Sequence, residues 1–437
     1  MKKAHFLGFA QHGLSSHVVG MWRHPQDKVG WDFAGQEYWR HLARTMERGL
    51  FDGIFLADEL APYSSFEGSS DATARYAVQF PTHEPGALAP VISGATTHLG
   101  VGLTLSTAFE HPYSMARRLS TMDHLTAGRV AWNVVGSYSP SEWEAYGEVM
   151  PDRAQRYERI AEYVEVCRKL WRSWGPGAVV ADRASGVWAD PARIAEVDHR
   201  GTHFTCRGRH FVKPSPQGEP VIFQAGSSPQ GRDFAAATAD AVFAIHPTVE
   251  AMRAYSDDMR ERIARCGRDP EQVKLYYGIL PIVAPTSGAA RRKADEIESL
   301  VPEGGALAML SGQLGVDFGA VAPDAPLVDI DVPGIQGVKD ALVAQAAEGE
   351  RVTVAEAARI YSSRFSMPRL AGTPAEVADE IETFLDDGGA DGFILLATYT
   401  PGCFEEFVDL VVPELQRRGR YRTEYPARTL RDNIRHD

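Results

Sequence analysis

What the chain has little of narrows it first. Among 437 residues only 4 are cysteine, and Cys167, Cys206, Cys266 and Cys403 stand far apart with no CxxC pair. That spacing excludes a disulfide scaffold and a zinc framework, and it reads as reduced thiols in a cytoplasmic protein. Positive charge is in deficit: 45 Lys and Arg against 58 Asp and Glu leave a net charge of −13. Such a field repels phosphate backbones and anionic lipid, so neither nucleic acid nor a membrane surface is an expected partner. No apolar run approaches the ~18 residues of a spanning helix. The opening MKKAHFLGFAQHG, broken by Gly8, Gln11 and His12, reads as no secretory leader. There is no GxGxxG after a strand, no GxxxxGKS/T, no HExxH and no GxSxG, so dinucleotide binding, nucleotide hydrolysis, zinc proteolysis and serine esterase chemistry lack support. The 14 histidines form no ligand-spaced pair, and no metal is expected.

What is present is a large apolar fraction, 44% hydrophobic with 10% aromatic residues, enough for a sizeable core. Eight β-rich runs occur in order, at 4–9, 51–58, 101–107, 129–135, 220–225, 241–246, 273–283 and 392–397. Most are continuously apolar, as in strands covered on both faces. Segments of helical period lie between them. In 37–50, Tyr38, Leu42, Met46 and Leu50 recur every fourth residue; 153–171 repeats the pattern behind an expected N-cap at Asp152. Thr373-Pro374-Ala375-Glu376 reads as a capped helix start, with Gly388-Gly389 at the far end. Eight strands with interleaved helices predict an α/β fold, a closed (β/α)8 TIM barrel forming one domain over 1–437. Two stretches exceed a minimal barrel, about 175–218, with a hairpin-like GTHFTCRGRHFVK, and about 304–369. Both are expected as insertions over the C-terminal face.

In such a barrel function sits where strands end, and the residues there are polar: Asp58, Ser106-Thr107, Asn133 through Ser137, Gly226-Ser227-Ser228 and His246. Singly, each is as readily a turn or cap residue. The segment QAGSSPQGRDFAAATAD runs from a strand through Gly-Ser-Ser into a helix, whose free N–H groups favour an anion. On this segment alone, Ser228 as a simple cap and as part of a phosphate site stand about equal.

Longer stretches carry a family resemblance. FDGIFLAD, EHPYSMARRLSTMDHLTAGRVAWNVV, RYERIAEYVEVCRKLW, SPQGEPVIFQAGSSPQGRDFAA, GTPAEVADEIETFLDDGGADGF and LVVPELQRRGRYRTEY resemble the luciferase-like flavin monooxygenases. Within that superfamily they are similar to the nitrilotriacetate, dibenzothiophene-sulfone and long-chain-alkane branch. The likeness runs from Trp22 to Thr429. It implies reduced FMN (FMNH2) delivered by a separate NAD(P)H:flavin reductase, O2 as co-substrate, and one oxygen atom inserted into a small organic substrate through a flavin C4a-(hydro)peroxide. A homodimer or homotetramer is implied as well. Carried over by position, Asp58, Ser106, Thr107 and Asn133 neighbour the flavin together with Gly136 and Ser137. Arg153, Tyr157, Gly226, Ser227 and Ser228 surround its phosphate.

Two positions depart from the family pattern. Gly136 stands where a threonine is usual, which is expected to leave space or a water, and Arg153 replaces a histidine with a stronger phosphate partner. Tyr138 stands where the alkane-type members have a histidine. His12, Tyr63, Gln79, His111 and Tyr138 are the expected substrate-pocket residues, with Trp22, Phe55, Phe109 and Trp132 as further candidates for a water-excluding wall. No residue is assigned as general acid or base; His12, His17 and His111 are candidates by position alone. An F420-dependent hydride-transfer enzyme on the same barrel and a flavin-binding protein without turnover are the competing readings.

Overall fold

The structure, a computed structural model, describes residues 2–14, 17–28, 32–226, 228–346 and 350–436. Eight strands form its centre: β1 (His5–Gln11), β2 (Gly53–Ala57), β3 (Gly100–Ser106), β4 (Val130–Val135), β5 (Val221–Gln224), β6 (Ala241–Ala244), β7 (Lys274–Val283) and β8 (Gly392–Leu396). Each pairs in parallel with the next, and His5 opposite Gly392 joins β8 to β1, closing the barrel. These are the eight strands read from the sequence, with ends shifted by a residue or two. A short strand, Arg369–Gly372, extends the sheet by pairing with the outer half of β7.

The strands are apolar throughout because both faces are covered. Leu7, Phe9, Phe55, Ala131, Phe223 and Tyr276 fill the interior, whereas Phe6, Ile54, Val101, Trp132 and Leu275 alternate outward under the helices. Helix starts follow local chemistry. Asp152 accepts from the Gln155 N–H to open Arg153–Trp171, and Thr373 with Glu376 forms a reciprocal cap for Pro374–Asp386. The first long helix is Gln36–Arg48, against an expected 37–50; Tyr38, Leu42 and Met46 are buried as expected, while Leu50 falls beyond its end at φ 57. None of the helices among the described residues is long and apolar enough to cross a membrane.

The two excursions behave differently. The described residues of 304–369 form the helices Glu303–Leu314, Gln336–Val343 and Val354–Arg364, with single 3-10 turns at Phe318–Ala320 and Leu327–Asp329 in the long connection after the first, and share a core with Tyr63 and Val78 above the barrel mouth. Residues 175–218 do not reach the mouth, contrary to expectation. They run down the outer flank of Pro112–Leu125 and Arg153–Trp171: Glu162 accepts from the His203 and Phe204 N–H groups, while Ser120 meets His210 and His124 meets the Lys213 carbonyl. Two hairpins form there, Val179–Asp182 with Val187–Ala189 and Val197–Arg200 with Thr205–Gly208, and GTHF is the turn of the second. The opposite, N-terminal face is closed by the C-terminal tail. Asp52 before β2 is fully enclosed and receives Arg422 at 2.7 Å, Tyr276 at 3.0 Å and the His5 ring at 3.1 Å.

Candidate active site

At the C-terminal ends of β1 to β6, beneath the 304–369 excursion, lies a cavity of about 350 Å³. Phe9, Phe55, Phe243, Ile245 and Phe365 form its apolar walls, and most of its polar lining comes from strand ends. The end of β2 supplies Asp58 and Glu59, β4 supplies Asn133 through Tyr138, β5 supplies Gln224 and Gly226, and β6 supplies His246. Arg153, Arg156 and Tyr157 enter from the first turn of the helix after β4, and Ser228 from the helix after β5.

Arg153, Tyr157, Gly226 and Ser228 lie together in the lining of this cavity. Ser228 caps Pro229–Thr238 by accepting from the Gly231 N–H at 3.1 Å, and its hydroxyl lies 3.5 Å from the Tyr157 hydroxyl. Capping and ligand contact are therefore compatible for this one oxygen, which has a second lone pair. Arg153 donates to the Gly334 carbonyl at 2.8 Å and Arg156 to the Pro151 carbonyl at 2.6 Å; neither meets a carboxylate in these bonds. Burial lowers the Arg156 pKa, with Arg153 adding repulsion, so an anion between them would relieve both. A Cβ on Gly226 would meet the Gly231 carbonyl oxygen at 2.5 Å, which is why the backbone turns here on glycine. Ser227 lies outside the described residues.

The flat side of the cavity has unsatisfied acceptors. Asn133 donates to Thr104 Oγ1 at 3.0 Å but its Oδ1 is buried without a partner, and so is Gln224 Oε1. Buried orphans of this kind cost about 1–3 kcal/mol each unless a ligand pairs them. Ser137 is held at φ 52, an uncommon conformation for serine, by its carbonyl accepting the Trp143 indole N–H and by its hydroxyl at 2.8 Å from Ser106. Ser106 and Thr107 stand one layer behind the lining; Thr107 gives its hydroxyl to the Val135 carbonyl at 3.1 Å. At Gly136 no space is left. A Cβ there would sit 2.5 Å from Ile160 Cδ1, so isoleucine fills the volume of the expected hydroxyl and overturns the reading of an open or watered site.

The remaining pocket candidates separate. Tyr138 lines the cavity, donating to Glu59 Oε1 at 2.8 Å and accepting from Gln313 Nε2 at 2.9 Å. Tyr63 and Gln79 lie behind it: Tyr63 accepts from Gln313 at 2.5 Å and directs its proton toward Glu59 at 3.0 Å or Gln79 at 3.1 Å. The structure does not bring His12 or His111 to the cavity. His12 donates to the Glu84 carbonyl between Trp39 and His83, and His111 caps Pro112–Leu125 on the flank. Trp22 is exposed, Phe109 stacks on Tyr146, and Trp132 packs under the helices with its N–H on the Leu105 carbonyl. His17 does line the cavity, wedged against Phe9 and Phe365; burial lowers its pKa to about 3 and keeps the ring neutral. Asp58 is pushed up to about 8 by burial and by the charges of Glu84 and Glu142.

Sequence reasoning missed Glu59, Arg156, Gln224, Gln313 and Tyr361. Arg156 carried a usable signal, since Arg153, Arg156 and Tyr157 share one helix face at i, i+3 and i+4. Glu59 stood beside Asp58 at the same strand end. Gln313 and Tyr361 had none, being set by the packing of the excursion.

A parallel barrel whose mouth joins a cationic rim to an apolar, acceptor-lined cavity is the arrangement of an α/β-barrel enzyme. The family model described as luciferase-like monooxygenase matches residues 14–392; the chain belongs to that family and is a flavin-dependent monooxygenase. It is 39% identical to the dibenzothiophene-sulfone monooxygenase of Rhodococcus erythropolis (strain XP), over 99% of this chain and 96% of the relative. It is 37% identical to the long-chain alkane monooxygenase of Geobacillus thermodenitrificans (strain NG80-2), covering 99% and 94%. A crystal structure of long-chain alkane monooxygenase superposes with a TM-score of 0.90 at 36% identity, covering 99% of this chain and 96% of that one. Among the described residues no group of His, Cys, Asp and Glu could hold a metal ion.

Proposed function

We propose that the chain is the oxygenase of a two-component system, taking FMNH2 from a separate NAD(P)H:flavin reductase and using O2 to oxidise a small organic substrate. The observation that carries this is the conjunction of unpaired Asn133 Oδ1 and Gln224 Oε1 with the Arg153, Arg156, Tyr157 and Ser228 rim in one cavity. An isoalloxazine ring carries an N–H donor on its pyrimidine edge and gains further N–H donors on reduction, and the phosphate of the FMN side chain asks for the cations. The residues present fit FMN.

When bound, FMNH2 supplies the activation of O2 and the transfer of one oxygen atom. The protein's part is positional. Arg153, Arg156, Tyr157 and Ser228 hold the phosphate, with Gly226 admitting it close to the backbone; Asn133 and Gln224 orient the ring edge. Phe9, Phe55, Phe243 and Phe365 exclude water, which keeps an oxygenating site from wasting its reduced cofactor. His17, neutral and enclosed, contributes shape rather than charge. Asp58 keeps its proton at neutral pH and is the titratable group in the cavity best matched to returning one.

The test is flavin titration with oxygen uptake. FMN should bind more tightly than riboflavin, and substrate-dependent O2 uptake should require reduced flavin or a reductase. Turnover with NADH alone, or equal affinity for the two flavins, would overturn the assignment.

A further inference from the structure

Beyond the strand ends that face the flavin, one corner of the cavity carries hydrogen-bonding capacity that nothing in the protein uses. Glu59 lines the cavity; its Oε1 accepts from Tyr138 at 2.8 Å and from Tyr63 at 3.0 Å, yet its Oε2 is buried without a partner. Tyr361, fully buried on the helix Val354–Arg364, also lines the cavity, and its hydroxyl is likewise unpartnered. The two are electrostatic neighbours. Gln313 spends both amide hydrogens on the Tyr63 and Tyr138 oxygens, so those phenols turn their protons toward Glu59 Oε1 and Gln79. The donors of Gln313, Tyr63 and Tyr138 are thus spent within the network, and nothing in the protein meets Glu59 Oε2 or the Tyr361 hydroxyl.

The surroundings decide the sign. The groups acting most on Glu59 are Glu142, Asp58, Tyr63 and Tyr138, and none is a cation. The two cavity arginines are engaged at the Gly334 and Pro151 carbonyls beside the phosphate side. An enclosed carboxyl with acidic neighbours and no counter-ion keeps its proton, and burial raises it well above the usual carboxylate range. A neutral carboxylic acid that already accepts at one oxygen presents O–H at the other.

We propose that Glu59 and Tyr361 form a paired donor site selecting a neutral substrate that carries an acceptor oxygen, and that the same corner rejects carboxylate substrates. This rests on the oxygenase reading for its context, since the walls beside it are those that enclose the flavin. An acceptor oxygen would satisfy two buried donors at once. A plain hydrocarbon would leave both unpaired, and an anion would lose its water at a corner where none of the groups acting on Glu59 is a cation, Arg153 and Arg156 being turned to the Gly334 and Pro151 carbonyls.

The test uses three probes of similar size, methyl phenyl sulfone, isopropylbenzene and phenylacetate, titrated by calorimetry into the protein saturated with FMN, whose phosphate occupies Arg153 and Arg156, with the two uncharged probes titrated into the protein alone as well. The sulfone should bind about tenfold or more tightly than either of the others, because a site built to hydrogen-bond rejects the analogue that cannot. Glu59→Ala should erase that preference and Tyr361→Phe reduce it, while Glu59→Gln, which keeps an N–H donor, should retain most of it. Equal binding of sulfone and hydrocarbon, phenylacetate as tight as the sulfone, or an unchanged ranking in both Glu59→Ala and Tyr361→Phe would overturn the proposal. If Glu59→Ala does not fold, the wild-type ranking and Tyr361→Phe decide. Loss of FMN binding with the ranking intact would instead count against the oxygenase reading.

Discussion

Gly136→Ala is the smallest change that tests how the cavity wall is built. The new methyl would lie 2.5 Å from Ile160 Cδ1 and 3.1 Å from Cγ1, whereas carbon atoms rest at about 3.5–4.0 Å. Isoleucine must therefore retreat by about 1 Å. It is only 6% exposed and carried on the helix Arg153–Trp171, so Cδ1 can turn away only about χ2 and toward the cavity that Ile160 lines. Gly136 is not among the positive-φ glycines, so this contact is what opposes a side chain there. Overpacking of this kind costs about 1–3 kcal/mol. Ile160→Val removes the offending Cδ1 at its own cost of about 0.5–1.5 kcal/mol. Both residues line the cavity, so Gly136→Ala should also weaken FMN binding by pushing Ile160 inward. Denaturant unfolding and flavin titration of wild type, both singles and the double then form a cycle. The double should be no less stable than Gly136→Ala and should recover flavin affinity, a coupling of about 1 kcal/mol or more. A Gly136→Ala protein within about 0.3 kcal/mol of wild type, or additive effects in the cycle, would refute the packing argument.

Arg153→Ala and Arg156→Ala should each weaken FMN binding about tenfold or more, from ~1.5–3 kcal/mol per charge-assisted contact, and Ser228→Ala less; riboflavin affinity should barely change, and equal losses for both flavins would place the phosphate elsewhere. Tyr138→Phe withdraws a donor from Glu59 and an acceptor from Gln313. It should raise the hydrogen peroxide released per reduced flavin, and unchanged coupling would argue against the role given to that wall. Asp58 holds its proton up to about pH 8, so a rate that depends on the protonated form should fall as pH rises through about 8, and Asp58→Asn should remove that limb from the profile. Asp52→Asn leaves Arg422 enclosed without its counter-charge and should cost ~3–5 kcal/mol in unfolding experiments. Burial alone would raise the Asp52 pKa, but Arg422 and His5 hold it at about 2. Its contribution is present above the unfolded carboxylate's ~3.9 and lost as pH falls through about 2. The pH dependence of stability in wild type and Asp52→Asn should therefore diverge above that window and converge below it.

The barrel was legible because strands covered on both faces must be apolar along their whole length, and runs such as FDGIFLAD and GFILLA admit little else. The positions of functional strand ends followed from the same rule. Distance along the chain betrayed the rest. GTHFTCRGRHFVK announces a hairpin, but polar loops pack wherever hydrogen-bond partners occur, and Glu162 and Ser120 drew this one to the flank. His12 and His111 sit in mouth loops by sequence and turn away in space, toward Glu84 and the start of a helix. The glycine at 136 looked like a missing group; only the side chain across from it, one helix later, reveals that the volume is occupied. Gln313 and Tyr361 reach the cavity through a satellite core shared with Tyr63 and Val78, which no local pattern encodes.

Closure of the barrel has a consequence for how the protein is made. His5 pairs with Gly392, and Asp52 waits for Arg422, so the first strand and the barrel floor depend on segments synthesised long after them. Until those emerge from the ribosome, β1 to β7 form at best an open sheet whose two outer strands expose unpaired backbone groups and apolar side chains. Such edges are templates for pairing with another nascent chain. Contacts of such long sequence separation also close slowly. Cutting the chain before Gly392 should thus do more than remove a surface segment. It should trap the nascent protein at its most aggregation-prone stage, and yield of soluble protein on slowed translation or chaperone co-expression would report on the final strand rather than on the catalytic mouth.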